Sequence, residues 1–406
     1  NYGKSWKMIS KGIPDDTFTR VVREDPERKG LLYAGTESGM YISFDDGRNW
    51  QSFQLNLPIV PITDLAVKEN DLVVGTQGRS FWILDDLTPL HQLSDKIAKS
   101  NSHLYKPRVT YRMGGGSRWD GSSSSGENPP NGVITFYYLK DEISKDAEIT
   151  LDYMEANGNV IKSFSSKKDK KKKEPTVNAK KGMNRFVWDT RYPDAKKVPD
   201  AVMWGGSHTG PKAIPGDYKV RLKVNGKSQT HAFVIEKDPR IQTTQADFEA
   251  QFDLLMDIRN RTSEINKKIL TIRSIKKQVN SLTELMKDSG FKNDEIKDAG
   301  EDLFKSLTEI EEELIQVKSK SGQDPLNYPI KLDNKIAALV RVVSGVDARP
   351  TAQSYGVLDD LVSQAQIHYK KLDKILTDDL FKFNNMVSDA AVPAVMIVPS
   401  EMSKER

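Results

Sequence analysis

The sequence predicts a multidomain chain of mixed β plus α class, with two β-rich regions ahead of a helical one. Three observations carry that prediction. Short apolar runs broken by Gly, Asn and Asp continue to about residue 236. Near Thr243 the apolar period changes to steps of three and four. The 406 residues leave room for two or three cores.

Composition narrows the functional classes. At 37% hydrophobic and 29% charged the chain is globular in character. Its 61 basic and 57 acidic residues leave a net charge of only +4, which gives no whole-chain support to nucleic-acid binding. The absence of cysteine excludes disulfides, thiolate metal sites and cysteine nucleophiles, and is compatible with an exported bacterial protein. No run has the length of a transmembrane helix.

Residues 1–95 read as a meander of short strands: "TRVVRED" (19–25), "LLYAGT" (31–36), "MYISF" (40–44), "DLAV" (64–67), "DLVVGT" (71–76) and "SFWIL" (80–84). Residues 96–132 read as a linker with a Gly/Ser-rich loop. A β-sandwich of immunoglobulin or fibronectin type III size is expected over 133–238, with strands beginning as early as 107. Its candidates include "VITFYYLK", "EITLDYM", "NVIKSF" and "DYKVRLKV", and "ANGN" (156–159) carries the Asn-Gly signature of a tight hairpin. An antiparallel helical bundle or coiled-coil hairpin is expected over 243–390, followed by a tail over 391–406. One long helix is marked by Phe248, Phe252, Leu255, Ile258, Ile265, Ile269, Ile272 and Val279, and Gly290 supplies its stop. A second stripe runs from Ile296 to Val317, a shorter helix covers 332–343, and a last one runs from Leu358 to Phe383.

Within the first region "SFDDGRNW" (43–50) reads Ser-x-Asp-x-Gly-x-Asn-Trp. Its chemistry is that of a hairpin device. Asp45 accepts from the amides of its own turn, Gly47 supplies a positive φ, and Trp50 starts the next strand with its ring beneath the loop. "NYGKSW" (1–6) reads as the back half of the same device, and Trp6 lies 44 residues before Trp50, the period of a four-stranded propeller blade.

The run Ser43, Asp45, Gly47, Trp50 resembles the Asp box of BNR-repeat propellers, a group that includes sialidases and sortilin-like proteins, with Asn49 where threonine is common. "LVVGTQGRSFWILDDLTPL" (72–90), "ENPPNGVITFYYL" (127–139), "GMNRFVWDTRYP" (182–193), "IPGDYKVRL" (214–222) and "FNNMVSDAAVPAV" (383–395) are similar, in order, to the C-terminal part of large bacterial proteins labelled sortilin-like or "glycosyl hydrolase". The resemblance implies that residues 1–95 are the last blades of a propeller. It implies a partner in the remainder of that propeller, on the same or a cleaved chain, and a start that follows missing blades.

Candidate sites are few. Arg79 in "TQGRSFW" (76–82), with Trp82, is the best surface candidate for an anionic or peptide-carboxylate contact, against a blade-to-blade ion pair. Arg118 and Trp119 interrupt the Gly/Ser-rich loop and offer a ligand contact or a docking ring. The loop has no Gly-Lys-Ser/Thr before a helix, so it is not a phosphate loop. "KKDKKKKEP" (167–175) has no interleaved aromatic residue and reads as a solvated loop tip. Five histidines stand singly, "DDGRN" lacks EF-hand spacing, and no cofactor or metal is expected. No arginine cluster with a Tyr–Glu pair assembles a sialidase centre, so no catalytic residue is assigned.

The expected function is therefore non-catalytic binding or scaffolding. The chain would be exported and bacterial, presenting a propeller face to peptides, proteins or glycans. A protein or outer-membrane assembly, or a homodimer through the helices, is an expected partner, with no nucleic acid and no transmembrane segment. The alternative is a glycoside hydrolase whose two carboxylates lie upstream of Asn1.

Overall fold

The computed structural model describes residues 2–113, 126–144, 147–168 and 174–396. The chain is of mixed β plus α class and divides into two compact units. One comprises Asn1–Asp189 with Gly216–Glu236, the other Thr190–Pro215 with Lys237–Arg406.

The first unit opens with β1 (Thr19–Glu24), β2 (Leu32–Thr36), β3 (Gly39–Ser43) and β4 (Gln51–Ser52), paired in that order as an antiparallel meander. A second meander follows in β5 (Ile62–Lys68), β6 (Asp71–Thr76) and β7 (Phe81–Leu84). The two sheets share one apolar core, with Val21, Tyr33, Met40 and Ile42 from the first and Ile62, Leu65, Leu72 and Val74 from the second. Successive strand side chains point to opposite faces. Leu72 and Val74 therefore enter that core, while Val73 lies opposite Ile83 on the other face of its sheet. On that outer face Phe81 and Ile83 are 77% and 60% exposed. Strand β2 is buried along its whole length, because Leu32 and Ala34 pack on its second side with Trp50 and Ile13.

Two short helices, α1 (Thr88–Gln92) and α2 (Asp95–Ala98), lead to β8 (Ser102–Leu104) and β9 (Thr110–Arg112). Helix α1 closes the stretch expected as blades, and α2, β8 and β9 fall at or inside the stretch 96–132 expected as linker. Six longer strands follow: β10 (Val133–Leu139), β11 (Ile149–Glu155), β12 (Val160–Ser165), β13 (Gly182–Trp188), β14 (Gly216–Val224) and β15 (Lys227–Lys237). They form sheets ordered β13-β10-β8 and β12-β11-β14-β15-β9. Tyr153 of the larger sheet joins the two. Its ring stacks 4.6 Å from that of Trp188, and its hydroxyl lies 2.8 Å from Thr135 Oγ1 of the smaller sheet.

The second unit is built on α3 (Gln245–Ser289), a 45-residue helix. It starts at a capping box formed by Thr244 and Asp247 and stops at Gly290, whose φ of 77° is left-handed. It is followed by α4 (Asp294–Leu314), α5 (Leu332–Val343), α6 (Ala352–Lys374) and α7 (Leu380–Asp389). A single π-helical turn, Ile375–Asp379, joins the last two. Ile258, Ile265, Ile269 and Ile272 of α3 are fully buried against Leu307, Leu314, Ile336 and Leu358 of the other helices. Gln251 Nε2 donates to the carbonyls of Val343 and Val346, satisfying acceptors at the end of α5. Glu311 accepts from Arg273 Nε at 2.7 Å and Lys276 Nζ at 2.9 Å.

The range 133–238, expected as one sandwich, is interrupted: Thr190–Pro215 belongs to the helical unit. The cause is hydrogen bonding from α3. Arg259 Nε donates to the Pro193 carbonyl, Ser263 Oγ accepts from the Lys196 amide, and Asn266 Nδ2 donates to the Lys196 carbonyl. Further on, Asn334 grips the backbone of Trp204, accepting from its amide at 2.7 Å and donating to its carbonyl at 2.8 Å.

Candidate functional site

The loop 43–50 has the most chemistry per residue in the first region, and its side chains are spent on each other. Asp45 Oδ1 accepts from the Asn49 amide at 2.9 Å and from Ser43 Oγ at 2.9 Å, and Oδ2 accepts from Asn49 Nδ2 at 2.7 Å. Ser43 Oγ in turn accepts from the Gly47 amide at 3.0 Å. Gly47 sits at φ 78°, and a Cβ there would lie 2.8 Å from Ile9 Cδ1. Trp50 is buried, and its Nε1 donates to the Ile9 carbonyl at 2.6 Å. Donation from Asn49, side chain then amide, holds the Asp45 carboxyl below the usual carboxylate range. A carboxylate with three donors and a lowered pKa is poorly suited to act as a general acid. Asn49, where the resembled family often has threonine, supplies two of those donors, one of them from its side chain.

Beside this loop lies an open cleft of about 890 Å³, with Arg28, Phe44, Asn49 and Lys96 among its walls. Behind Arg28 is a cluster that sequence reasoning missed. Buried Asp25 accepts from the amides of Glu27 and Arg28, from Tyr33 Oη at 2.9 Å and from His91 Nε2 at 2.9 Å. Burial pulls the Asp25 carboxyl up, but the bonds from His91, the Glu27 amide and Tyr33 outweigh it and leave the group below its ordinary value. Burial and the bond to Asp25 push the Tyr33 hydroxyl far up. His91 lies 66 residues from Asp25 in sequence, so no local spacing signals the pair. Arg28 Nη1 donates to the Leu90 carbonyl and its guanidinium lies over the Phe44 ring. The cluster ties β1 and β2 to α1, and every oxygen of its carboxylate is occupied.

Arg79 of the turn between β6 and β7 and Trp82 of β7 are brought together, with Trp82 Nε1 donating to the Arg79 carbonyl at 2.9 Å. The Trp82 ring packs on the core between the two sheets, and Arg79 is exposed, donating to the Gly78 carbonyl. The ion pair expected of Arg79 between sheets is not made among the described residues. Arg23 of β1 makes that link, 2.6 Å from Asp64 of β5, where the two sheets pack together, while Arg79 stands at the turn. Arg118 and Trp119 lie outside the described residues.

His103 and His231, single in the sequence, face each other at 6.4 Å between ring centroids. Burial lowers the pKa of both. Among the described residues no three His, Cys, Asp or Glu side chains converge as a metal site, and no helix is long and apolar enough to cross a membrane.

No family model matches this chain, and no curated protein matches it. Among solved structures, those similar to it include the extracellular domain described for a one-component system of B. thetaiotaomicron, at 11% identity over 57% of this chain and 26% of that one, with a TM-score of 0.15. The extracellular domain described for a hybrid two-component system of the same organism gives 10% identity, 55% and 26% coverage, and a TM-score of 0.15. The chain thus spans about a quarter of the length of each. Likeness at that level carries no functional argument.

Proposed function

We propose that this chain is part of an exported, non-catalytic binding or scaffold protein. In this reading the meanders β1–β4 and β5–β7 are neighbouring blades of a BNR-type propeller. Strands β8–β15 form an immunoglobulin- or fibronectin-type sandwich, and the helical unit braces the assembly or docks it to a partner. The propeller presents its face to peptides, proteins or glycans. The observation that supports this is the outer face of the second meander. Its apolar side chains Phe81 and Ile83 stand in solvent while the inner face of the same sheet packs on a neighbouring sheet. Strand sheets with two apolar faces are built to be stacked on both sides. The layers that cover this face are further blades, on the same chain or a cleaved one. The saturated carboxylates of Asp45 and Asp25 favour binding over hydrolysis.

Hydrogen exchange over residues 62–84 tests this, measured with and without a segment carrying the remaining blades. Protection that rises when that segment is added is the expected result. A monodisperse monomer with full protection across residues 18–84, indifferent to the added segment, sinks the blade reading. Glycoside turnover by the assembled protein, abolished by replacing a carboxylate pair, would replace the binding reading with a hydrolase.

A further inference from the structure

The segment that α3 pins to itself carries a cation into an already basic surface. Lys196 is set against Arg259, Lys267 and Lys268 around an open cleft of about 590 Å³, all within the helical unit. Two acids, Asp194 and Glu264, share the lining. Both are engaged by cations outside it: Asp194 Oδ2 accepts from Lys197 Nζ at 3.1 Å, and Glu264 Oε2 from Arg261 Nη1 at 3.4 Å. Lys268 is matched by Asp373 at 3.3 Å. Lys196, Arg259 and Lys267 are left without an ion-pair partner among the described residues.

The arrangement is held in place. The Lys196 amide donates to Ser263 Oγ and its carbonyl accepts from Asn266, so both sides of the Lys196 backbone are fixed to α3. Arg259 has its plane set by bonds from Nε to the Pro193 carbonyl and from Nη1 to Asn260 Oδ1. With the Arg259 guanidinium set and the Lys196 and Lys267 backbones held at the rim of the cleft, part of the cost of gathering three cations around an anion is already met, and each has N–H donors to spare.

We infer that this cleft binds a tetrahedral oxyanion, the phosphate or sulfate group of an acidic ligand, through Lys196, Arg259 and Lys267. The guanidinium offers planar donors to two oxygens, and the ammonium groups neutralise the remaining charge. The inference is independent of the propeller reading, since every residue in it belongs to the helical unit.

Calorimetric titration of the whole chain at low ionic strength tests it, with inorganic tripolyphosphate in one arm and sucrose octasulfate in the other. One saturable site per chain is expected for at least one probe, weakening as salt is raised. The double variant Lys196→Gln/Lys267→Gln removes side chains with no bonding partner among the described residues, so its melting should match the wild type. It should raise Kd roughly tenfold or more. Lys167→Gln/Lys168→Gln, in the lysine run beyond β12, is the control for diffuse attraction and should leave Kd unchanged. Binding by only one probe identifies which oxyanion the site takes. No saturable binding of either probe overturns the inference. So does unchanged affinity in the cleft variant, or an equal loss in the control.

Discussion

The helical unit and the stacked meanders bury their apolar residues by different geometry. Each helix has one apolar stripe, so a few helices turned toward one another close a core, and Ile258, Ile265, Ile269 and Ile272 are fully enclosed. A sheet has two faces. Packing one meander on the other encloses Ile62, Leu65 and Leu72 but leaves Phe81 and Ile83 outside. The helices enclose the stripe of α3 on every side, although Val342, Ile367 and Phe381 stand exposed elsewhere on the unit, whereas a strand sheet packed on one face leaves its whole second face outside.

The largest test of that contrast is Ile265→Asp. The lost burial alone is worth about 1.5–3 kcal/mol, and an unpaired carboxylate in the same place adds to it. Far-UV dichroism should show loss of the helical signal, or a much lower denaturation midpoint. Wild-type helicity and midpoint would mean that this stripe is not a sealed core.

Within the second meander the two faces should separate cleanly. Leu72→Ala empties a position that is 1% exposed and should cost about 2–5 kcal/mol. Phe81→Ser, on the neighbouring strand but the outer face, should stay within about 0.5 kcal/mol in the isolated chain. Equal losses in thermal melts would break the comparison by revealing that something covers the outer face in solution.

A pH-dependent effect sharpens the description of the helical core. Asp333 of α5 is buried, and burial pushes its carboxyl up to about 7 against the pull of the Asn334 amide and Arg273. The folded state therefore keeps a proton that the unfolded carboxyl releases near its ordinary value of 3.8. Stability tied to this group is full below about pH 4 and is lost as pH rises through about 7. Asp333→Asn should match the wild type at low pH and exceed it at pH 8 in urea unfolding. A wild-type advantage at pH 8 would refute the assignment.

A more modest loss than that of Leu72→Ala is expected of Asp45→Ala. It removes three accepted bonds from an exposed loop and should lower the melting point less than Leu72→Ala. No catalytic defect should accompany it. Unchanged melting with a lost activity would overturn the structural account of that loop.

The helices were legible because their period is local. Thr244, Gly290 and the isoleucine stripe announce α3 without reference to anything distant. The π-turn at Ile375–Asp379 had no such signal, since the stripe from Leu358 to Phe383 runs through it. The turn at 43–49 was equally readable, as the bonds of Ser43, Asp45 and Asn49 to one another and to Gly47 span four residues or fewer. What escaped was made by long-range pairing. Asp25 with His91, Arg23 with Asp64, and Lys196 with α3 are joined across 66, 41 and 67 residues. Side chains that meet only after folding leave no periodic trace.

The grip of Asn334 on Trp204 has a consequence for digestion. Residues 199–209 contain no helix or strand, and an irregular stretch of that kind would ordinarily be the first place for a protease to nick. A protease must draw its substrate into extended form, with the amide and carbonyl of the target free to pair with the enzyme. At Trp204 both are already paired with one carboxamide, as a neighbouring strand would pair them, and the Ser207 amide is taken by the Ala337 carbonyl. The stretch should therefore behave toward chymotrypsin as though it were sheet, with the partly exposed Trp204 ring on offer and the bond behind it out of reach.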